Sequence, residues 1–443
     1  MRRNMAQVDP TPTGPLAAAT PALLHQPLVW CVLALIALRW AAQWWLGRLN
    51  VRHVQTCAGE VPVALREVMD EATYQKSVAY TLARARLAAF ADAYSALVLV
   101  VILFSGVLPM SFGWFQQLAG SSVWAMAAFL FAAGVAVSLP ALPVDWFEQF
   151  KLEQSFGFNA TSQRIWWLDR LKVLLIAGVL GYPLLVLLLK FVEGTGAWWW
   201  LWAWLAVMAF QFLMMVLAPV IILPLFHKFT PLPEGELRAR LARLAERTQF
   251  HARSIQVMDG SKRSRHSNAF FTGFGRFRKI VLFDTLIAQL TEPELEAVLA
   301  HEIGHCRRKH IPKLLAWAAF VSLVAFYVLG VLVRQEWFYR AFGFAADHVA
   351  PAFLLFTLLG GTISFWLGPL QNWWARSFEY EADAFAAQAI GAAQPLVGAL
   401  RKLHEKNLSN LTPHPAYSGF YYSHPTLLER QQALANVQTR TPT

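Results

Sequence analysis

The chain has 443 residues, of which 56% are hydrophobic and only 15% charged, and it carries a formal net charge of +11. The apolar residues gather in long runs instead of mixing evenly with charged ones, which excludes an ordinary soluble domain and points to a bilayer. The three cysteines (Cys31, Cys57, Cys306) form no paired or CxxC framework, which excludes a disulfide scaffold. With no RNA- or DNA-binding motif, the positive charge reads as membrane topology and attraction to anionic lipid, with no nucleic-acid partner.

An N-terminal tail, residues 1–27, precedes the first apolar run. Stretches of about 20 residues able to cross a hydrocarbon core occur at 28–47, 88–108, 123–142, 171–192, 198–225, 314–333 and 351–370. The first is interrupted by Arg39 and competes with a signal-peptide reading; the long leader and six further runs favour a retained helix. Residues 28–225 thus read as five spans with their loops, and 314–370 as two more. Lys and Arg concentrate in the first loop (Arg48, Arg52, Arg66, Lys76, Arg84, Arg86), the third (Lys151, Arg164, Arg170) and the segment from Lys228 to Lys279. The positive-inside rule places these on the cytosolic side, with the N-terminus outside and the C-terminus in the cytosol. Trp198, Trp199, Trp200, Trp202 and Trp204 read as an interfacial belt at the outer end of span five.

Residues 226–313 read as the first part of a catalytic domain. Leu237, Leu241 and Leu244 give 235–249 a helical face, and 254–258 reads as a short strand. Two β-rich runs, 266–274 and 279–284, joined through Gly275, read as a hairpin. Such a hairpin either holds an extended substrate on its edge or is an ordinary core element, and the pattern alone does not choose.

Thr291-Glu292-Pro293-Glu294 is a capping box with Pro in the first turn, followed by a helical run expected to continue to Leu315. On it lies His301-Glu302-Ile303-Gly304-His305. Residues at i and i+4 share a helix face, so the two imidazoles can bind one Zn²⁺ with Glu302 beside a water on the metal, the arrangement of zinc-dependent peptide hydrolysis. Cys306 is rotated about 100° from His305 and reads as a small buried residue.

A catalytic zinc then lacks a third protein ligand. Residues 371–443 read as the second part of the catalytic domain, and the Ala-rich helix around 376–386 offers candidates. Glu379 and Asp383 share a face, whereas Glu381 is turned about 200° from Glu379. Glu379 can bind the metal while Asp383 orients one ligand His. A solvated charged face is the ordinary reading of such a pair, but here it competes with a metal short of a ligand.

Four separated motifs carry a resemblance: His301 to His305; Ser377-Phe378-Glu379-Tyr380-Glu381-Ala382-Asp383-Ala384-Phe385-Ala386; His266-Ser267-Asn268-Ala269-Phe270; and Tyr422-Ser423-His424-Pro425-Thr426-Leu427-Leu428-Glu429-Arg430. Phe150-Lys151-Leu152-Glu153 with Gly157-Phe158-Asn159, and Met69-Asp70 with Tyr74, extend it over most of the chain. Together they resemble the integral-membrane CAAX prenyl endopeptidases of type I, a zinc family that includes the processing proteases for yeast a-factor and prelamin A. The resemblance implies a predominantly α polytopic membrane protein, with seven transmembrane helices around a water-filled chamber and a gluzincin-type α+β zinc protease domain. It implies one Zn²⁺ per chain, held by His301, His305 and Glu379, with Glu302 as general base and Asp383 behind a ligand His. It further implies that Asn268 holds substrate backbone, that His424 stabilises the oxyanion, and that Arg430 ties the C-terminal segment to the site.

The implied partners are the lipid bilayer and a peptide or protein substrate, prenylated or membrane-associated. The compact insert and an end at Arg440-Thr441-Pro442-Thr443 without an ER-retention signal point to a bacterial inner membrane, with the active site toward the cytosol; a eukaryotic member would sit in an ER-type membrane. A bacterial member would serve quality control of membrane proteins with no prenyl requirement. The Asn159-Ala160-Thr161 sequon falls on the cytosolic side and is expected to be unmodified. A polytopic transporter or inactive scaffold is the other class, though no internal repeat supports it.

Overall fold

A computed structural model describes residues 26–438 except 64–65, 67, 251–253 and 273–278. Most of the N-terminal tail, the hairpin turn around Gly275 and residues 440–443 lie outside the described residues. Seven helices are long and apolar enough to cross a bilayer: Pro27–Cys57, Glu71–Phe104, Val123–Glu153, Gln163–Gly194, Gly196–Phe226, His310–Leu332 and Ala350–Ile390, spans one to seven. The first five have 31 to 34 residues, about 50 Å of helix against a hydrocarbon core of about 30 Å, so their polar ends project beyond it. Their starts are fixed locally. Asp70 caps span two by accepting from Thr73 N at 2.7 Å, and Ser122 and Ser162 cap spans three and four. Span two stops at Phe104, short of the expected 108. Gly106, at φ 80°, turns the chain into a separate outer helix, Val107–Ala119, which takes Leu108 out of the span.

The spans form a closed ring. Span one packs on two, three on four, four on five, five on six, six on seven, and seven returns to one; two and three meet through the Val107–Ala119 helix and the π-turn Glu148–Glu153, and span seven also packs on span three. Apolar cores close the two ends. One, at the loop-poor end, gathers Val29, Leu103, Phe112, Phe129, Leu189, Trp199, Phe342 and Phe353. The other gathers the ends of spans one and two (Val54, Tyr74, Val78), the first loop (Val61, Met69) and both protease segments (Leu241, Ile280, Leu299, Ile303, Leu396, Leu434). Between them the wall is thin. No described residue of span two from 81 to 102 is buried, none of span five after Ala203, and none of span six between His310 and Leu329. A helix in a solid bundle would bury a stripe at every turn, so these spans face lipid on one side and an open interior on the other.

Arg39 and Gln43 of span one find partners across the ring. The Arg39 guanidinium lies 5.5 Å from the Phe365 ring centre of span seven, and Gln43 donates to Asp92 Oδ1 of span two at 2.7 Å. The tryptophan cluster is only partly a belt. Trp198 and Trp202 are exposed, but Trp199 is buried against Phe353, and Trp204 Nε1 donates to Ala319 O and Ser322 Oγ of span six.

The catalytic end contains a four-stranded sheet of β1 (Phe229–Pro231), β2 (Ser254–Met258), β3 (Ala269–Thr272) and β4 (Lys279–Phe283) in the order β1-β2-β4-β3. β3 and β4 form the antiparallel hairpin, with Phe270 opposite Val281, while β2 runs parallel to β4. β1 pairs antiparallel with β2 and has no counterpart in the sequence reading. Among the described strands, β3 is an edge.

Two helices carry the site, Glu292–Arg307 and Gly368–Ile390, the second continuous with span seven. The first starts at the expected capping box, where Thr291 N donates to Glu294 Oε2 at 2.7 Å. It does not run on to Leu315: Lys309 adopts a left-handed conformation (φ 56°) and span six starts anew at His310. Where the two helices cross, a Cβ on Gly304 would lie 3.0 Å from Ala382 Cα and 3.1 Å from Ala382 O. Backbone cannot yield as a side-chain tip can. Gly304→Ala is therefore expected to force the helices apart and cost about 1–3 kcal/mol, seen as a lower Tm in intrinsic-fluorescence melting, whereas an unchanged Tm would show that the crossing has slack.

Candidate active site

The helical repeat puts His301 and His305 on one face of Glu292–Arg307, their ring centres 4.8 Å apart. Their Nε2 atoms are 3.1 Å apart and both face Glu379: His301 Nε2 lies 3.5 Å from Oε2 and His305 Nε2 3.2 Å from Oε1. One donor atom from each of the three residues falls within a sphere of contacts no wider than 4.8 Å. Glu379 Oε2 is buried and makes no hydrogen bond among the described residues. An orphaned buried carboxylate oxygen beside two imidazole nitrogens is a donor set that fits a divalent metal of the zinc type.

The outer faces of the ligands are also occupied. His301 Nδ1 lies 2.8 Å from Asp383 Oδ1, one helical turn beyond Glu379. Arg430 grips the same carboxylate twice, Nε to Oδ2 at 2.8 Å and Nη2 to Oδ1 at 2.5 Å, and reaches Glu379 Oε2 at 3.5 Å. The C-terminal helix Leu427–Gln438 is thereby tied to the site. Burial disfavours a proton on His301, but hydrogen bonds with Asp383 and Glu379 outweigh it and lift the pKa to about 9. Burial raises the Glu302 carboxyl's pKa, with His301 and His305 opposing.

His424 Nε2 stands 3.5 Å from Glu379 Oε1, the oxygen His305 also faces, with Ser423 Oγ 3.0 Å from its Nδ1. It opens, with Arg430, onto a cavity of about 820 Å³ also lined by Tyr80, Arg84, His266 and Tyr421. Asn268 is exposed at the start of the edge strand, its Oδ1 accepting from Ala269 N at 2.8 Å. The third-loop motif meets the hairpin motif at a second cavity of about 800 Å³, lined by Glu153, Phe158 and His266. Glu153 accepts from Tyr80 Oη at 2.6 Å and lies 3.2 Å from His266 Nε2, and Phe158 stacks on His266 at 4.2 Å. Asn159, the sequon residue, accepts from Gln149 and Thr161 N, with its side chain engaged in the third loop. Cys306 is only half-buried and lies against the catalytic core.

Two neighbours escaped the sequence reading. His310, 1% exposed, places Nδ1 2.9 Å from His305 Nδ1, and its Nε2 lies 3.2 Å from Glu381 Oε2. Glu381 is turned away from the metal donors, as helix geometry requires, but toward His310. The placement of His310 follows from the break at Lys309, which no Gly marks.

Residues 50–228 match the family described as CAAX prenyl protease N-terminal, five membrane helices, and residues 231–438 match Peptidase family M48. The chain belongs to peptidase family M48. This M48 metallopeptidase is 36% identical to CAAX prenyl protease 1 of Saccharomyces cerevisiae over 86% of its own length and 90% of the relative's. It is 30% identical to the human CAAX prenyl protease 1 homolog, over 91% and 95% of the two chains. The crystal structure of Ste24p from S. mikatae superposes with a TM-score of 0.85 at 33% identity, covering 92% of this chain and 99% of that one. The M48 peptidase is thus an integral, multi-pass membrane metalloendopeptidase, with its donor set at the end of a helical ring.

Proposed function

We propose that this enzyme uses one zinc ion, held by His301, His305 and Glu379, to cleave CAAX-type prenylated peptides and other membrane-associated substrates. The observation that carries the reading is the convergence of three metal donors beside an edge strand, at the mouth of an apolar ring. When bound, zinc acidifies a water and polarises the scissile carbonyl. Glu302, on the same helix and held in a raised pKa range by burial, takes the proton and delivers it to the leaving amine. Asp383 and Arg430 keep the His301 ring in its binding orientation. His424, facing Glu379 from the cavity side, donates to the carbonyl oxygen as charge develops there. Asn268 and the free edge of β3 hold the substrate extended.

The relatives' names support a CAAX substrate. The open interior gives an isoprenoid or another apolar segment a place to lie while the polar scissile stretch rests on β3. The basic first and third loops and the basic stretch after span five share the catalytic end, which supports a cytosolic active site. Membership of family M48 and the assembled donor set favour catalysis over a transporter or inactive scaffold.

Glu302→Gln is expected to keep zinc and lose at least about 10²-fold in turnover, because that residue supplies the proton transfer and no metal bond. Glu379→Ala is expected to lose metal; full occupancy by mass spectrometry together with full activity would remove Glu379 from the shell.

None of the residues at the metal reads a prenylcysteine, so the lipid contributes by burial, at about 25 cal/mol per Å² of apolar surface before ordering costs. Farnesylated and unprenylated versions of one peptide are both expected to be cleaved, with the lipid lowering KM more than it raises kcat. An absolute farnesyl requirement in steady-state kinetics would make this a dedicated CAAX protease; equal constants would favour membrane-protein quality control.

A further inference from the structure

We infer that His310 and Glu381 form a proton-ordered relay that positions the ligand imidazole of His305, an inference that rests on the zinc reading above. The direction of each bond follows from the geometry. His305 presents Nε2 to His301 Nε2 at 3.1 Å and to Glu379 Oε1 at 3.2 Å, so Nε2 is its metal-facing atom. A neutral imidazole that gives its Nε2 lone pair to a metal carries its hydrogen on Nδ1. That Nδ1 lies 2.9 Å from His310 Nδ1, and the pair holds only if His310 accepts there. An accepting Nδ1 puts the His310 hydrogen on Nε2, where Glu381 Oε2 waits at 3.2 Å. The chain His305 Nδ1–H to His310 Nδ1, then His310 Nε2–H to Glu381, admits one arrangement of hydrogens.

His310 is built for this place. It is 1% exposed, and its ring stacks on Phe378 at 4.2 Å with 10° between the planes, which fixes its tilt. In an unbroken helix a residue five positions on would lie about 140° around the axis from His305. The left-handed Lys309, at φ 56° and ψ 38°, brings it over the ring instead. The two ligand histidines are therefore backed differently: His301 by the carboxylate of Asp383, clamped by Arg430, and His305 by an imidazole whose carboxylate is one residue further out and partly exposed.

The test is zinc affinity of the purified full-length protein, by competition with a chromophoric chelator, on wild type, His310→Phe, His310→Asn and Glu381→Leu. Phenylalanine keeps the stack on Phe378 and removes the acceptor, and is expected to weaken zinc binding about 10- to 100-fold. Asparagine places an oxygen near the position of Nδ1 and is expected to recover most of that loss. Glu381→Leu, which touches no metal ligand, is expected to weaken binding toward the lower end of that range. Wild-type affinity in His310→Phe, or an Asn variant as weak as Phe, overturns the relay in favour of plain packing. Should His310→Phe fail to fold, wild-type affinity in Glu381→Leu overturns it as well. A wild-type protein that binds no zinc fails the metal reading itself, a result distinct from either.

Discussion

At Gly304 the helix bearing the two histidines lies against the helix bearing Glu379 so closely that one added methyl carbon would come within 3.0 Å of Ala382 Cα. Two features follow from that approach. It brings two imidazole nitrogens and a carboxylate within 4.8 Å of one another, though 74 residues of sequence and two membrane crossings separate His305 from Glu379. It buries Asp383 against the outer face of His301. Because the Glu379 helix is the continuation of span seven and only two residues separate the end of the HExxH helix from span six, the donor set is anchored directly to the ring.

The charge at this crossing is unbalanced by design of the residues alone. Among the described residues, the carboxylates of Glu379 and Asp383 share one guanidinium, that of Arg430, with Glu302 beside them on the HExxH helix. A divalent cation removes the imbalance and satisfies the orphaned Glu379 Oε2 in one step. The ring supplies the complementary condition. Its middle is open, so an apolar substrate segment can remain among helices while its polar backbone reaches β3.

Much of this was legible in the sequence because it is local. The capping box at Thr291, the i and i+4 spacing of His301 and His305, and the shared face of Glu379 and Asp383 are consequences of helix geometry that need no tertiary information. The seven spans were legible from apolar run length. His310 was not, because its role depends on a left-handed Lys309, a conformation that neither Gly nor Asn announces there. β1 was not, because a three-residue strand ending in Pro231 looks like a linker until β2 pairs with it. The open interior was not legible from hydrophobicity, since a wall residue facing a cavity and one facing lipid are equally apolar. Trp199 and Trp204 were misplaced for the same reason: composition cannot separate an interfacial ring from one packed on a neighbouring span. Asn268, His424 and Arg430 needed the resemblance, because each comes from a distant loop or helix with no periodic relation to the metal donors.

Zinc K-edge X-ray absorption of the purified protein tests the shell most directly. A shell of nitrogen and oxygen scatterers only, at about 2.0–2.2 Å, with the outer-shell scattering of two imidazole rings, is the predicted spectrum, unchanged in Cys306→Ala. A sulfur shell near about 2.3 Å, lost in that variant, would place Cys306 on the metal and contradict a protein shell made of His301, His305 and Glu379 alone.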